Sequence, residues 1–395
     1  MSSEAAAPHP DPDQHRPVRR MAARSRAEPH RTATWLELFF DLCFVVAVAQ
    51  AGRELAHAVA DHHLGTGLSG YLLAFFAIWW AWMNFSWFAS AYDVDDVPYR
   101  ITTLIQIVGV LVLAAGVPRI FADQDVTLAV AGYVLMRVAM ITQWLRAARS
   151  ERGSARTMAL RYALGIAVCQ VGWCLLLLVP DDVRPYLIPL GVIAEVAVPV
   201  WAEAPAKSTW HPHHIAERYG LFTIIVLGET VTAATLAMQS ALDEHEALGE
   251  LLPIAAGGLL ICFGAWWIYF ATPIHGLLRA NRQAFLWGYG HYLVFGSAAA
   301  IGAGLEVAIE HAVGAAHLSA EAATAAVTVP TALFLFTVWA LHSRHVKQGS
   351  EQAVLPAAAA AVLACTAAGQ GGVLLAGLVT AAAVAVGIVL HTRRA

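Results

Sequence analysis

Apolar runs long enough to cross a bilayer recur along the chain from Thr34 to Leu390. A hydrocarbon core about 30 Å thick needs about 20 helical residues, so the pattern predicts membrane-spanning helices. Twelve are predicted, over residues 34–58, 68–91, 99–116, 126–145, 158–179, 185–201, 214–239, 248–272, 285–311, 322–342, 354–368 and 371–390. The last two are alanine-rich and separated only by residues 369–372, so ten spans with one re-entrant hairpin are the alternative.

The composition gives the same interpretation as the pattern. Hydrophobic residues make up 58% of the chain and charged residues 13%, and the mean hydropathy is +0.60. These values predict an all-α, polytopic integral membrane helical bundle in place of the two or three soluble domains that 395 residues would otherwise suggest. The lipid bilayer is therefore the expected partner, and nucleic acid is not.

Positive charge is distributed unevenly along the chain. Residues 1–32 contain proline, histidine and arginine without apolar periodicity, which predicts a disordered basic N-terminal arm. If this arm is cytoplasmic, its side of the membrane holds nineteen lysines and arginines, and the other side holds only Arg53, Arg119 and Arg184. By the positive-inside rule, an even number of spans with both termini in the cytoplasm is expected.

Two short patterns occur twice. The segment around Glu37 at the start of the first helix resembles that around Glu217 in the seventh, and Phe76–Trp80 resembles Phe263–Trp267. The matches predict a parallel internal repeat of six plus six helices, as in some transporter classes. The expected halves are residues 33–201 and 214–395, joined by a cytoplasmic loop over residues 202–213.

The seventh predicted helix carries ionisable residues where lipid tolerates few. His214, Glu217, Arg218 and Glu229 share one arc of this helix, together with a glycine and two threonines. The first three stand at the helix start, where charged side chains can reach the headgroups. Glu229 lies about halfway through the span, where a charge costs about 2.5–3.5 kcal/mol on insertion scales. This arc, the polar stripe of the seventh helix, indicates either a functional polar cavity or a structural network of hydrogen bonds and ion pairs.

Two carboxylates lie on one face of the first helix. Glu37 and Asp41 are four residues apart, and Arg218 is the nearest plausible counter-ion for the deeper Asp41. Glu37 is either a functional carboxylate or an interfacial one.

Two further ionisable residues lie inside predicted spans. Arg137 in the fourth helix requires a carboxylate partner; Asp41 and Glu229 are the deep candidates, whereas Glu195 and Glu306 lie nearer helix ends. His291 in the ninth helix is either a titrating group or a hydrogen-bonded core residue.

The sequence contains no established catalytic or nucleotide-binding motif. There is no Gly-x-Ser-x-Gly, no His-Glu-x-x-His and no phosphate-binding loop. His211, His213 and His214 precede a helix without a matching pair of ligands. We therefore expect no cofactor, no metal site and no classical catalytic residue.

Two motifs resemble a known family. They are Trp35-Leu-Glu-Leu-Phe-Phe-Asp41 followed by Phe44-Val-Val-Ala-Val-Ala-Gln50, and the segment from His214 to Glu229 that contains Glu-Arg-Tyr-Gly-Leu-Phe. With these motifs, most of the chain from about Thr32 onward is similar to the bacterial low temperature requirement protein A family. The resemblance implies a multi-pass bacterial inner-membrane protein linked by name to growth in the cold, and it supplies no molecular activity.

These observations favour a proton- or ion-coupled transporter of a small solute, with a permeation site between the two halves. The expected substrate- or proton-binding residues are Glu37, Asp41, Arg137, His214, Glu217, Arg218, Glu229 and His291. Glu229 is the expected proton-responsive group, with Arg218 or Arg137 close by. The alternatives are a membrane-embedded enzyme acting on a lipid or isoprenoid through Glu217, Glu229 and His291, and a non-catalytic scaffold or sensor.

Overall fold

The structure is a computed structural model that describes residues 17–25, 28, 31–245, 248–278 and 281–393, except for the side chains of residues 244 and 245. Within these residues the chain forms twelve α-helices and no strand. The helices are α1 Trp35–Ala60, α2 Leu64–Tyr92, α3 Val97–Ala122, α4 Thr127–Ser150, α5 Gly153–Leu176, α6 Arg184–Ala202, α7 Pro212–His245, α8 Leu248–Phe270, α9 Asn281–Ala312, α10 Ala320–Leu341, α11 Ser350–Ala364 and α12 Gly372–Thr392. Each predicted span has a helix, and the protein is an all-α helical bundle, as predicted.

The ends of the helices follow from local capping chemistry. Thr34 caps α1 with its hydroxyl, and Glu37 returns the interaction by accepting a hydrogen bond from the Thr34 amide at 2.7 Å. Asp96 caps α3 by accepting from the Tyr99 amide at 2.9 Å, and Pro98 occupies the first turn, where its missing N–H is not needed.

The last two helices form a broken pair. α11 has 15 residues, about 22 Å, which is shorter than a hydrocarbon core. A turn over residues 365–371 joins it to α12, and Gly369 there has a φ of 54°, which suits glycine. With Ser350–Thr392 taken as one segment, eleven helical segments of the described chain have the length and hydropathy of a membrane span.

Neighbour relations in the first six helices recur in the last six. α1 packs on α2 and α3, and the sequence of contacts continues from α3 to α4, α5 and α6. In the same way α7 packs on α8 and α9, and contacts run from α9 to α10, α11 and α12. The two sets of helices meet mainly where α1 packs against α7 and α9.

Small residues allow the closest helix pairs to approach. A side chain at Gly132 would collide with the backbone of α3, and one at Gly304 with the backbone of α10. Such glycines permit close backbone contact in membranes, where packing and not water exclusion drives helix association. They hold α3 to α4 and α9 to α10.

Part of the N-terminal arm packs against the bundle. The Arg19 amide donates to the Asp96 carboxylate at 2.8 Å, the Ala23 amide donates to the Glu151 carboxylate at 2.9 Å, and Met21 is buried. Residues 17–25 therefore lie across the ends of α2, α3 and α4, because acidic side chains there accept the arm's backbone hydrogen bonds. The predicted disorder therefore does not apply to residues 17–25; residues 1–16, 26, 27, 29 and 30 of the predicted arm lie outside the described residues.

The two tryptophan pairs occupy different environments. Trp79 and Trp80 of α2 are buried inside the bundle, together with Trp82, whereas Trp266 and Trp267 of α8 are about half exposed. An aromatic belt at the interface suits only the α8 pair. The α2 tryptophans do not form such a belt, because Trp79 packs against rings of α9 in the interior.

Candidate functional site

A cluster of four charged or titratable side chains joins the first turns of α1 and α7. Arg218 donates from Nε to the Asp41 carboxylate at 2.9 Å, and its Nη1 lies 3.0 Å from Glu37. His214 Nε2 lies 3.2 Å from the same Glu37 carboxylate. All four side chains are fully buried. The predicted pairing of Asp41 with Arg218 is confirmed, and the polar faces of α1 and α7 meet.

The charges of this ion-pair cluster do not cancel when the histidine is neutral. Glu37 and Asp41 supply two negative charges and Arg218 supplies one positive charge. A buried charge without compensation is costly, so the cluster needs one proton, held by His214 or a carboxyl, or the positive charge of buried Arg31 at its end. The arrangement can therefore take up and release a proton or another cation.

Further donors fix the ion-pair cluster in place. The Trp82 indole N–H donates to Asp41 at 2.7 Å, and the guanidinium of Arg218 lies 5.8 Å from the centre of the Phe85 ring. Both aromatic residues come from α2, so three helices position the carboxylate–guanidinium pair. Sequence patterns could not single out Trp82 among its aromatic neighbours.

Charged residues outside the spans cover the end of the cluster that faces the N-terminal arm, which we call the arm side. The guanidinium of Arg31 is buried and donates to the carbonyl groups of Ala89 and Ser90 at the end of α2. Asp93 follows this helix and is almost fully buried. Burial, helped by the negative charge of Glu37 and opposed by Arg31, raises the pKa of Asp93 to about 6.

Arg137 belongs to a separate buried site. Its guanidinium donates to Glu195 of α6 at 2.7 Å, and Trp80 and Gln170 donate to the same carboxylate at 2.9 and 3.0 Å. The predicted need for a carboxylate is confirmed, but neither deep candidate is the partner. Glu195 reaches Arg137 because α4, α5 and α6 are neighbours in the first half.

Glu229 lines a cavity of about 230 Å³ between α1, α7 and α9. Arg53 of α1 and Glu306 of α9 line the same cavity, and the Glu229 side chain is half-buried. Glu229 follows Arg218 by eleven residues, about 16 Å along the helix. The prediction that Arg218 or Arg137 lies beside Glu229 is wrong, because the opposite end of α1 brings Arg53 to this cavity.

An apolar layer separates the ion-pair cluster from the cavity. Phe44 of α1, Phe222 and Val226 of α7 and Phe295 of α9 are buried, and the Phe222 and Phe295 rings lie 4.9 Å apart. The polar stripe of α7 is therefore interrupted. Beyond the layer its two threonines are exposed and hydrogen-bond to the backbone of α7 itself.

The remaining predicted residues lie apart from each other. Glu217 is near the arm, where its carboxylate accepts a hydrogen bond from the Ala33 amide at 3.3 Å. His291 is fully buried among aromatic rings, with Nε2 3.0 Å from the Tyr269 hydroxyl and Nδ1 2.7 Å from the Trp287 carbonyl oxygen. The structure does not bring Glu217, Glu229 and His291 together.

The fold and this site define a class: a polytopic α-helical membrane protein with charged groups buried between its helices. Its particular family follows from comparison with known proteins. Residues 32–391 match the bacterial low temperature requirement A protein (LtrA) family, and the chain belongs to that family. It is also similar to an uncharacterized protein of Rhizobium meliloti (strain 1021), with 27% identity over 299 residues, covering 71% of this chain and 70% of that protein. The chain is thus a bacterial membrane protein.

Proposed function

We propose that this protein is a proton- or ion-coupled transporter of a small solute. One observation carries the proposal: α1 and α7 together bear a buried ion-pair cluster of unbalanced charge and, about 16 Å along α7, a polar cavity around Glu229. Ionisable groups buried within a membrane commonly mark substrate or ion pathways.

The coupling step follows from the charge balance of the cluster. With one proton on the cluster, at His214 or a carboxyl, the charges of Glu37, Asp41 and Arg218 are balanced and the starts of α1 and α7 hold together. Loss of that proton leaves one excess negative charge, which weakens the contact between the helices. Protonation thus favours closure at the arm side.

The cavity supplies the binding site in this scheme. Two carboxylates, Glu229 and Glu306, face one guanidinium, Arg53, on the far side of the apolar layer. The geometry therefore corresponds to a state that is closed at the arm and accessible from the opposite side. With the arm in the cytoplasm, as the charge distribution predicts, the cavity faces outward.

The recurrence of helix neighbours supports a mechanism built on two halves. The contact order α1–α3–α4–α5–α6 recurs as α7–α9–α10–α11–α12, which agrees with the proposed parallel six-plus-six repeat, whereas the extensive contact of α8 with α12 has only a weak counterpart between α2 and α6. Repeats of this kind place substrate sites at the interface between the halves, where one half rocks against the other. The α1–α7 contact is such an interface.

The test is proton movement in reconstituted vesicles that contain a pH-sensitive dye. Under an imposed proton gradient, with a filtered extract of small cellular solutes outside, wild type should acidify the lumen faster than Glu229→Gln. The amide keeps the shape of the side chain and removes its charge. Glu321→Gln is the matched control, because Glu321 is exposed at the start of α10 and does not line the cavity.

Stability measured on the same samples completes the test. Equal proton movement in wild type and Glu229→Gln, at equal thermal stability, would refute the transporter and favour the scaffold or sensor. The lipid-enzyme alternative has less support, because its three acid–base candidates lie in three separate environments.

A further inference from the structure

A second cavity lies at the arm-side ends of the helices, away from the α1–α7 interface. Glu203, directly after α6, lies at this cavity together with residues of α2, α4, α5 and α9. Its volume of about 30 Å³ has room for about two water-sized spheres. The cavity therefore admits a compact chemical group and not a large solute.

Aromatic rings form two walls of this pocket. In the first wall, the Trp144 and Tyr162 rings stack with centres 4.0 Å apart, and Phe88 meets Trp144 edge-on at 4.9 Å. In the second wall, Phe285 lies 6.2 Å from Trp87 and 5.8 Å from Tyr289. Trp144 and Tyr162 are buried, so an interfacial belt does not account for them.

The polar group of the pocket is the Glu203 carboxylate, and every hydrogen-bond donor to it among the described residues is neutral. Glu203 is 2% exposed and accepts from the Ser208 hydroxyl at 2.5 Å, from the Tyr162 hydroxyl at 3.1 Å and from the Asn281 amide. Lys207 is exposed and forms no ion pair with Glu203 in the described structure. Burial raises the pKa of Glu203, against the opposing effect of these hydrogen bonds and of the Lys207 charge.

From this geometry we propose that the pocket binds a small alkylammonium cation, held by the aromatic walls and by the Glu203 carboxylate. The faces of aromatic rings attract cations, and rings combined with a carboxylate recognise methylated ammonium groups. A bare metal ion fits less well, because it requires several oxygen ligands and most of the lining is ring carbon. The inference does not depend on transport.

The experiment compares two ligands of the same size. Purified protein in phosphatidylglycerol nanodiscs is titrated with methylammonium and with methanol, a neutral molecule that also has two heavy atoms, and binding is followed by thermal shift and tryptophan fluorescence. Methylammonium should raise the melting temperature in a saturable way, and the neutral alcohol should not. Glu203→Gln should weaken methylammonium binding at least tenfold, whereas Glu321→Gln, at an exposed site on α10, should leave it unchanged.

A second variant covers the case in which Glu203→Gln fails to fold. Phe285 is only partly buried, so Phe285→Leu should keep the fold and lose several-fold in methylammonium affinity. Repeating the titration in nanodiscs of phosphatidylglycerol mixed with phosphatidylethanolamine separates two sources of the ammonium group. Loss of the methylammonium effect there assigns the pocket to a lipid headgroup, and its persistence assigns it to a free cation. Equal effects of methylammonium and methanol, or no effect of methylammonium on folded wild type, would overturn the proposal.

Discussion

The ion-pair cluster predicts a specific energetic coupling between Arg218 and Asp41. Removing the guanidinium with Arg218→Gln leaves two buried carboxylates without a counter-charge, a change that typically costs about 3–5 kcal/mol. Asp41→Asn removes one of those charges and keeps an oxygen to accept the Trp82 hydrogen bond. The double variant should therefore be more stable than the sum of the single effects predicts, by about 1–3 kcal/mol.

The measurement is a double-mutant cycle from reversible unfolding in mixed micelles, with the free energy of unfolding determined for each variant. Arg137→Gln combined with Asp41→Asn is the matched control, because Arg137 pairs with Glu195 and not with Asp41. That second cycle should be additive within about 0.5 kcal/mol. Additive effects for Arg218 and Asp41, or equal coupling in both cycles, would refute the description of the cluster.

Three further predictions follow from single positions. Because burial raises the pKa of Asp93 from 3.8 to about 6, its ionisation in the folded protein is disfavoured and wild type loses stability as pH rises through this interval. The stability of Asp93→Asn relative to wild type should therefore grow by about 2 kcal/mol between pH 4 and pH 8, and a difference independent of pH would contradict this. Gly304→Ala should lower stability in thermal unfolding by about 1–3 kcal/mol because its methyl group meets the backbone of α10, whereas Gly387→Ala has open space and should not; equal effects would refute the close approach. In a cysteine-free background, an impermeant thiol reagent applied outside the cell should label a cysteine at Asp123 and spare one at Ser154, and labelling of the latter would reverse the orientation.

Sequence periodicity was sufficient for the fold because lipid requires each span to be a continuous apolar helix. Twelve predicted spans correspond to twelve helices, and capping residues such as Thr34 and Asp96 explain where two of them begin. The turn at Gly369 was visible as a glycine-rich interruption. How α11 and α12 divide the final segment depends on the packing between them, which a hydropathy pattern does not encode.

The candidate site could be predicted only in part. The sequence predicts the pairing of Asp41 with Arg218 correctly. Both residues lie inside the starts of apolar helices, where a carboxylate and a guanidinium have few other partners of opposite charge. The partners of Arg137 and Glu229 were not predicted, because they depend on which helices are neighbours. Glu203 gave no signal, because it follows a span and gains its significance only from rings on four other helices.

The central claim is that the arm-side cluster and the cavity open alternately, and a cysteine at Ala233 tests it most directly. Ala233 lines the cavity beyond the apolar layer. A cysteine placed there in otherwise wild-type protein should therefore react with an impermeant maleimide from the side opposite the arm. Combining Asp41→Asn with Arg218→Gln removes the ion pair and leaves the net charge of the cluster unchanged. The account predicts several-fold slower labelling from the cavity side and faster labelling from the arm side in that variant. Unchanged labelling from both sides, in protein of normal fold, would contradict it.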